Sequence, residues 1–445
     1  MNRIIRNSFS ENCFSEWMRT NNGELVAVLC QCEEGDDSSL YAYEYTHAII
    51  TFFRQYDAEK VWQLKKSEIA ELLLENCNYN AQMLDSTSGK TQPHPIPTIE
   101  GLFTFSDSII IFGIGNYSIS FIDRKNKNRK IRQSRWTKAK LERFTLDAYQ
   151  KYSKYVFFKC IKKTELKSIL LLSNESRITS KNKQSGENQN VDFLSVDFTN
   201  TDNNSTVPYR AVITGSSHSI NGVSCQDYCD FQKVQNGIAM AVADGAGSGK
   251  FSQFGAVNNV QSFINCCDLH EEGEQEPSDF CENLLKSIDQ EHEKLQRNRT
   301  KRKIQDFATL LGLYITNDNI VYAHIGDGAI FAHSIEGTTE YLSEAENFGE
   351  ESNVTFFTIE SDAKEHLDIG KIDKSKYDML LIVTDGVYNA FAEDERLTFA
   401  GKIFDAVKSD SEFDEIKLAE LIDTEEIKDW GDDHSAILFD LRKQG

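Results

Sequence analysis

The chain has 445 residues, with 48 lysines and arginines against 70 aspartates and glutamates, so its formal net charge at pH 7 is −22. A chain this acidic repels phosphate backbones and anionic bilayers, which excludes non-specific binding to either as its main role. It has no apolar run of about 18 residues, and its first residues lack the apolar core of a signal peptide. We therefore expect a cytoplasmic protein with no membrane association and no specific nucleic-acid partner.

Ten cysteines occur in the chain. Three pairs of them are close in sequence, Cys30/Cys32, Cys225/Cys229 and Cys266/Cys267. None has a second pair or a histidine cluster at zinc-finger spacing. The pattern therefore indicates reduced, mostly buried thiols in a reducing compartment.

A polar tract divides the chain. Residues 174–207 are rich in Asn, Ser and Thr and poor in apolar side chains, which is typical of a linker. A chain of this length is expected to form two or three domains of about 150 residues each. We therefore predict one domain over residues 1–173 and a second over residues 208–445.

The two halves share a segment of similar sequence. Residues 98–119 align without a gap to residues 309–330, and both segments have the pattern of a strand, a turn and a second strand. A weaker similarity joins residues 22–28 to residues 236–242. Helical stretches interrupt the strands without a regular βαβ alternation. The pattern predicts a duplicated domain of the α+β class with mainly antiparallel sheets.

Acidic residues in the second half follow buried strands. Asp244 ends the apolar stretch 238–243 and Asp385 ends the stretch 379–384, and each is followed by a glycine. If such strand ends converge, two carboxylates about 4 Å apart repel by about 4 kcal/mol at an effective dielectric of 20. Bound cations would cancel this repulsion, and oxygen ligands select hard ions such as Mg²⁺ or Mn²⁺. The residues alone predict a carboxylate metal site.

A set of motifs in the same half indicates more than a metal site, because the motifs occur in the same order as those of a known family. Residues 208–441 resemble the metal-dependent serine/threonine protein phosphatases of type 2C, in particular their bacterial branch. The matching segments are Gly215-Ser216-Ser217-His218, Cys225-Gln226-Asp227, Ala243-Asp244-Gly245, Ile325-Gly326-Asp327-Gly328, Val383-Thr384-Asp385-Gly386 and Gly431-Asp432-Asp433.

The resemblance implies a fold and a set of ligands. The fold would be two tandem four-layer α-β-β-α sandwiches, each with two mainly antiparallel sheets flanked by helices. Two Mn²⁺ or Mg²⁺ ions, with a weaker third, would hold a bridging hydroxide that attacks the phosphate ester directly, so no catalytic cysteine is needed. By this resemblance, Asp244, Asp385 and Asp432 would be the catalytic residues and the ligands of the first ion. Asp244 and the Gly245 carbonyl would bind the second ion, on which Asp227 would act through water. Asp327 would bind the third ion. Asp433 is the alternative to Asp432.

Two positions depart from the family pattern. Gly222 stands where the family often has a phosphate-binding arginine, and Ala246 stands where some members have a histidine. His218 or Lys250 could bind the phosphate instead. These departures leave open a catalytically inactive scaffold or sensor that binds a phosphoprotein or a kinase. Hydrolysis of a small phosphorylated molecule is a third interpretation.

The first half is expected to be a degenerate copy of the same fold. In the sequence comparison Asp327 matches Asn116, Asp244-Gly245 matches Cys30-Gln31, and the strand before Asp385 matches residues 155–160, with no Asp following. Neutral side chains do not hold two hard ions. The expected function is thus a serine/threonine protein phosphatase with an inert N-terminal regulatory or substrate-recognition domain. The resemblance implies a phosphoprotein substrate and a partner protein kinase, and it leaves the oligomeric state open.

Overall fold

The chain divides into two compact units, Met1–Asn203 and Asn204–Gly445. The computed structural model describes residues 3–7, 13–19, 25–32, 38–55, 58–88, 97–115, 117–132, 156–172, 193–197, 208–221, 225–234, 236–247, 249, 252–268, 277–297, 305–345 and 355–443. None of the helices in these ranges is both long and apolar enough to cross a bilayer.

The first unit contains two five-stranded antiparallel sheets. Its strands are β1 (Arg3–Asn7), β2 (Cys13–Arg19), β3 (Leu25–Gln31), β4 (Thr98–Phe105), β5 (Ser108–Ile114), β6 (Ser118–Asp123), β7 (Asn128–Arg132), β8 (Phe157–Lys162), β9 (Leu166–Leu172) and β10 (Phe193–Asp197). One sheet has the order β1-β10-β9-β6-β7, and the other has the order β2-β3-β4-β5-β8.

Strand β10 lies inside the tract expected to be a linker. Phe193–Asp197 pairs antiparallel with both β1 and β9, so these five residues are part of a sheet of the first unit. The sequence of this stretch, FLSVD, is compatible with a strand, and its pairing on both sides makes it one. The linker expectation over residues 174–207 is therefore corrected at β10, and the other residues of the tract before Pro208 lie outside the described ranges.

Helices cover one sheet of the first unit. They are α1 (Ser38–Gln55), α2 (Ala58–Gln63) and α3 (Lys66–Ser88), and α1 packs on β2 and β3. Ala42, Tyr45, Ile49 and Phe52 of α1 recur at spacings of three and four residues and are all buried. These residues share one face of the helix, and residues 42–50 are buried on every face because α3 also packs against α1.

The second unit also contains two five-stranded antiparallel sheets, ordered β11-β20-β19-β16-β17 and β12-β13-β14-β15-β18. Its strands are β11 (Tyr209–Ile213), β12 (Tyr228–Val234), β13 (Gly237–Ala243), β14 (Leu310–Ile315), β15 (Asn319–Ile325), β16 (Ala329–Ser334), β17 (Thr339–Glu344), β18 (Asp368–Asp373), β19 (Tyr377–Val383) and β20 (His434–Asp440). Its helices are α4 (Ser216–Asn221), α5 (Ser252–Asp268), α6 (Pro277–Arg297), α7 (Ala363–His366), α8 (Asp385–Tyr388), α9 (Glu393–Ser409), α10 (Glu415–Ile422) and α11 (Glu425–Trp430).

These elements form four layers. Alternate residues of β19 face opposite sides, since Leu380 and Ile382 lie in the core between the two sheets, whereas Leu381 and Val383 pack with α8 to α11. On the other sheet, α5 packs against β13 and β14, and α6 packs beside α5 and contacts β18. The expected mixture of helices and mainly antiparallel sheets is thus confirmed.

The strand orders of the two units correspond when the strands of each are matched in chain order. Val28 pairs with Gly101 in the first unit, and Ala241 pairs with Gly312 in the second. Counting along β3 and β13 from these pairs makes Gln31 the counterpart of Asp244, so the expected counterpart, Cys30, is one residue off. A purely sequential alignment does not detect this offset.

A second correspondence also differs from the expectation. Strand β8, which includes most of residues 155–160, pairs with β5 as β18 pairs with β15. The strand that corresponds to β19 is instead β9, because β9 pairs with β6 as β19 pairs with β16. A one-turn 3-10 helix precedes both β9 and β19.

Candidate metal centre

Strand ends from both sheets of the second unit bring three carboxylates together. Asp244 follows β13, Asp327 lies between β15 and β16, and Asp385 follows β19. One carboxylate oxygen from each of the three lies within 4.8 Å of the others. The strand–Asp-Gly pattern predicted this convergence, and it occurs because the sheets pack face to face with these ends at the same edge.

Burial and mutual repulsion act on these groups. Burial raises the pKa of Asp244 well above its usual value, and the nearby charge of Asp385 raises it further. Burial and the charge of Asp327 do the same for the pKa of Asp385. Burial also raises the pKa of Asp327. The metal-free site therefore disfavours its own charged form, which is the electrostatic condition that a bound cation relieves.

Asp227 belongs to the same electrostatic cluster. Its side chain is 3% exposed, and burial followed by the charge of Asp433 raises its pKa to about 7. Its Oδ2 accepts a hydrogen bond of 2.8 Å from Thr384 Oγ1. Asp227 also influences the pKa of both Asp244 and Asp385.

The donor set fits a divalent cation. Buried Oδ1 atoms of Asp227, Asp327 and Asp385 have no hydrogen-bond partner among the described residues. Buried polar atoms without partners are rare because each costs the free energy of its lost hydration. Several unpartnered carboxylate oxygens in one cluster are the ligands that hard ions such as Mg²⁺ and Mn²⁺ prefer.

The neighbouring residues Asp432 and Asp433 have different environments. Asp433 is 1% exposed and accepts hydrogen bonds from the backbone N–H groups of Gly215 at 2.7 Å and Gln226 at 2.6 Å. Burial opposes its ionisation, but a hydrogen bond with His218 and these backbone donors lower its pKa. Burial raises the pKa of Asp432, whose charge in turn raises that of Asp385. The charge of Asp432 thus acts on Asp385 and that of Asp433 acts on Asp227, but neither residue is among the three carboxylates whose oxygens lie within 4.8 Å of one another. The two differ in that backbone N–H donors hold both oxygens of Asp433.

The remaining predicted residues are placed as follows. His218 Nδ1 lies 2.8 Å from Asp433 Oδ2, and this hydrogen bond raises the pKa of the imidazole. Gly245 donates its N–H to the carbonyl of Gln226 at 3.2 Å, and a Cβ at this glycine would overlap the backbone of Ser252. Lys250 lies outside the described residues.

Three threonines that the sequence did not predict support the carboxylates. Thr384 contacts Asp227, Thr355 Oγ1 donates to Asp327 Oδ2 at 2.7 Å, and Thr309 Oγ1 accepts the N–H of Asp244 at 2.9 Å. Thr384 could have been found because it immediately precedes Asp385. Thr309 and Thr355 carry no signal in sequence, since the partners are distant along the chain.

Comparison with family models gives a match in the second unit. Residues 214–422, which lie in the second unit, match the family model described as Protein phosphatase 2C. No curated protein sequence gives a significant match to the chain.

Solved structures are similar at low identity. They include a bacterial serine phosphatase (14% identity, 53% of this chain and 98% of that chain covered, TM-score 0.42). Another is the serine/threonine phosphatase Stp1 from Staphylococcus aureus (15% identity, 53% of this chain and 94% of that chain covered, TM-score 0.41). A third is the catalytic domain of the serine threonine protein phosphatase PstP in complex with two manganese ions (11% identity, 53% of this chain and 97% of that chain covered, TM-score 0.39).

Proposed function

We propose that the second unit is a metal-dependent phosphatase that hydrolyses phosphoserine and phosphothreonine in proteins. The observation that carries the proposal is the convergence of Asp244, Asp327 and Asp385, whose carboxylate oxygens lie within 4.8 Å of one another. The protein phosphatase 2C match over residues 214–422 supports the reaction class. A phosphoprotein is the corresponding substrate, and a partner kinase remains a prediction.

Each residue of the site would have a separate role in binding the ions or the substrate. Asp244, Asp385 and Asp432 would hold one Mn²⁺ or Mg²⁺ ion, and Asp244 with the Gly245 carbonyl would hold a second. Asp227 would act on the second ion through water, and Asp327 would hold a third. When bound, such ions activate water at neutral pH and neutralise the oxygens of a phosphoryl group. His218 is proposed to contact the substrate phosphate, because its hydrogen bond with Asp433 favours the charged imidazolium.

The first unit is proposed to be a copy of the same fold that has lost the metal ligands. Its strand order, which corresponds to that of the second unit, supports this. By the register of the sheets, Cys13 and Gln31 stand at the positions of Asp227 and Asp244. Neither side chain is a strong ligand for a hard divalent ion. The unit would therefore serve regulation or substrate recognition.

Hydrolysis of p-nitrophenyl phosphate by the full chain tests the catalytic proposal. We expect turnover with Mn²⁺ that EDTA abolishes, and its loss in Asp244→Ala. Asp318→Ala is a matched control, because it removes an exposed carboxylate in the turn between β14 and β15, away from the cluster. If the wild type neither turns over the substrate nor binds Mn²⁺ in calorimetry, the phosphatase proposal fails and the chain is an inactive scaffold.

A further inference from the structure

A large aromatic side chain lies exposed beside the acidic cluster. Trp430 is the last residue of α11 and is 54% exposed. Among the tryptophans in the described ranges it is the only one in the exposed class. It precedes Asp432 by two residues, so their Cα atoms lie within about 7 Å of each other. The backbone that carries this exposed indole therefore lies next to a residue of the proposed active site.

The backbone on both sides of Trp430 is anchored. Gly431 ends α11 in the left-handed conformation, at φ +86°, and its carbonyl accepts hydrogen bonds from both the N–H, at 3.0 Å, and the hydroxyl of Ser217. The carbonyl of Lys428 accepts a hydrogen bond of 3.4 Å from Ser216 Oγ. Since α4 also carries His218, which contacts Asp433, these contacts fix the backbone that carries the indole relative to the site.

Acidic residues predominate on the helix that carries this indole. Helix α11 carries Glu425, Glu426, Asp429 and a single cation, Lys428. The Lys428 ammonium lies 3.3 Å from Asp423 and 3.6 Å from Glu425, so its charge is already compensated. Asp429 is exposed and has no ion pair within the described part of the chain. Hydrogen bonds lower the pKa of the Glu426 carboxyl, and Lys402 lies close enough to lower it further. The uncompensated charge next to Trp430 in the helix is therefore that of Asp429, to which the −22 charge of the whole chain adds.

We propose that Trp430 and Asp429 form a specificity site for a phosphopeptide that carries Arg or Lys beside the phosphorylated residue. A guanidinium or ammonium group over an indole face gains a cation–π attraction. A neighbouring carboxylate adds to it, and an acidic peptide is repelled at the same place. This inference rests on the proposed phosphatase function, and it names the substrate class of that site.

Phosphothreonine peptides that differ only in their flanking residues test the inference. The flanks are Arg, Ala or Glu, and p-nitrophenyl phosphate reports catalysis without a peptide. For the wild type with Mn²⁺ we expect kcat/KM for the Arg peptide to exceed that for the Glu peptide about tenfold or more. In Trp430→Ala the ratio of kcat/KM for the Arg peptide to kcat/KM for the Glu peptide should fall about three- to tenfold, because the variant loses an exposed cation–π contact that also orders the bound peptide. Trp430→Phe should restore part of it.

Two further variants separate recognition from structure. Asp429→Asn should lower the ratio of kcat/KM for the Arg peptide to that for the Glu peptide. It should leave kcat/KM for the Ala peptide unchanged, because the substitution removes only a negative charge. Ile335→Ala removes another exposed apolar side chain, 66% exposed in the turn between β16 and β17, and should leave all three peptides unchanged. Equal use of Arg and Glu peptides by the wild type, or an equal loss on all peptides in Trp430→Ala, overturns the inference. Absence of p-nitrophenyl phosphate turnover instead overturns the phosphatase function on which it rests.

Discussion

Thr384 Oγ1 donates a hydrogen bond of 2.8 Å to Oδ2 of Asp227, although the two residues are 157 positions apart in the chain. The same hydroxyl accepts the backbone N–H of Ser435 at 2.9 Å. Thr384 is fully buried. One side chain therefore connects the first acidic motif to the ends of β19 and β20, and it fixes the orientation of a carboxylate whose other oxygen is buried without a hydrogen-bond partner among the described residues.

Thr384→Val should damage both stability and metal binding. Valine has a similar shape, but it leaves the Asp227 oxygen and the Ser435 N–H without a partner in a buried place. We expect a loss of about 1–3 kcal/mol in the free energy of unfolding. Mn²⁺ affinity should fall about 10- to 100-fold, as for other residues that orient a ligand. Urea unfolding and calorimetry measure the two effects.

Thr384→Ser is the matched control, because it keeps the hydroxyl and removes only a methyl group. It should retain most of the Mn²⁺ affinity of the wild type. If the serine and valine variants bind Mn²⁺ equally weakly, packing of the methyl group orients Asp227 and the hydrogen bond does not.

Asp432 and Asp433 should respond differently to substitution. Asp432→Asn should lower Mn²⁺ affinity about 100-fold or more. It should change the stability of the metal-free protein little, because the environment already raises the pKa of this group. Asp433→Ala should instead cost about 2–4 kcal/mol of stability, since it leaves the buried N–H groups of Gly215 and Gln226 without acceptors.

Asp433→Asn distinguishes the loss of a hydrogen-bond acceptor from the loss of a charge. It removes the negative charge, but its amide oxygen still accepts a hydrogen bond from one of the two N–H groups. We expect it to recover part of the stability lost in Asp433→Ala. Calorimetric titration with Mn²⁺ decides the ligand question. If Asp433→Asn loses Mn²⁺ binding and Asp432→Asn keeps it, the assignment of the two carboxylates is reversed.

The position of the acidic cluster was predictable because a buried strand that ends in Asp-Gly places its carboxylate at a sheet edge. Asp244 and Asp385 follow this rule, and both lie in the cluster. The sequence also favoured Asp432 over Asp433, and the different hydrogen bonding of the two carboxylates agrees with that choice without testing metal binding. Patterns of this kind are local, so they can be read within about ten residues.

The support of the site was not predictable, because its contacts are long-range. Thr355 and Asp327 are 28 residues apart, and Thr309 and Asp244 are 65 apart. Nothing local marks these threonines as different from other polar residues. The same limit explains why β10 was expected to be linker: its partners β1 and β9 come from other parts of the chain, and pairing rather than composition makes it a strand.

Gly386→Ala tests the close packing behind Asp385. A Cβ at this position would overlap the backbone carbonyl oxygen of Asp433, so α8 and the start of β20 would have to separate. We expect a loss of about 1–3 kcal/mol in the free energy of unfolding, as for other overpacked positions. Mn²⁺ binding should weaken as well, because the movement displaces Asp385 and Asp432.

Gly401→Ala serves as the opposite control. Gly401 lies within α9, and an added Cβ would meet only Thr339 Oγ1 at 3.4 Å, an ordinary contact distance. Alanine is the better helix former, so a gain of up to about 1 kcal/mol is expected. Thermal unfolding of both variants checks the pair, and a loss in Gly401→Ala as large as that in Gly386→Ala would contradict the argument from local space.

The stability of the metal-free protein should fall as pH rises from about 4 to about 7. The pKa of Asp227 is raised to about 7, and those of Asp244 and Asp385 are also raised, so the folded state holds protons that the unfolded state releases near pH 4. A raised folded pKa contributes stability that is fully present below the unfolded pKa and is lost as pH rises through the folded value. Urea unfolding in EDTA at several pH values measures the slope.

Mn²⁺ should reverse this trend, because it binds the deprotonated carboxylates and so stabilises the folded state more at higher pH. Asp244→Asn removes one of the titrating groups and one of the repelling charges, and it should make the slope in EDTA shallower while abolishing the effect of Mn²⁺. A metal-free protein whose stability rises over this range would show that the carboxylates are ionised and separated in the folded state, and that the site is open to water.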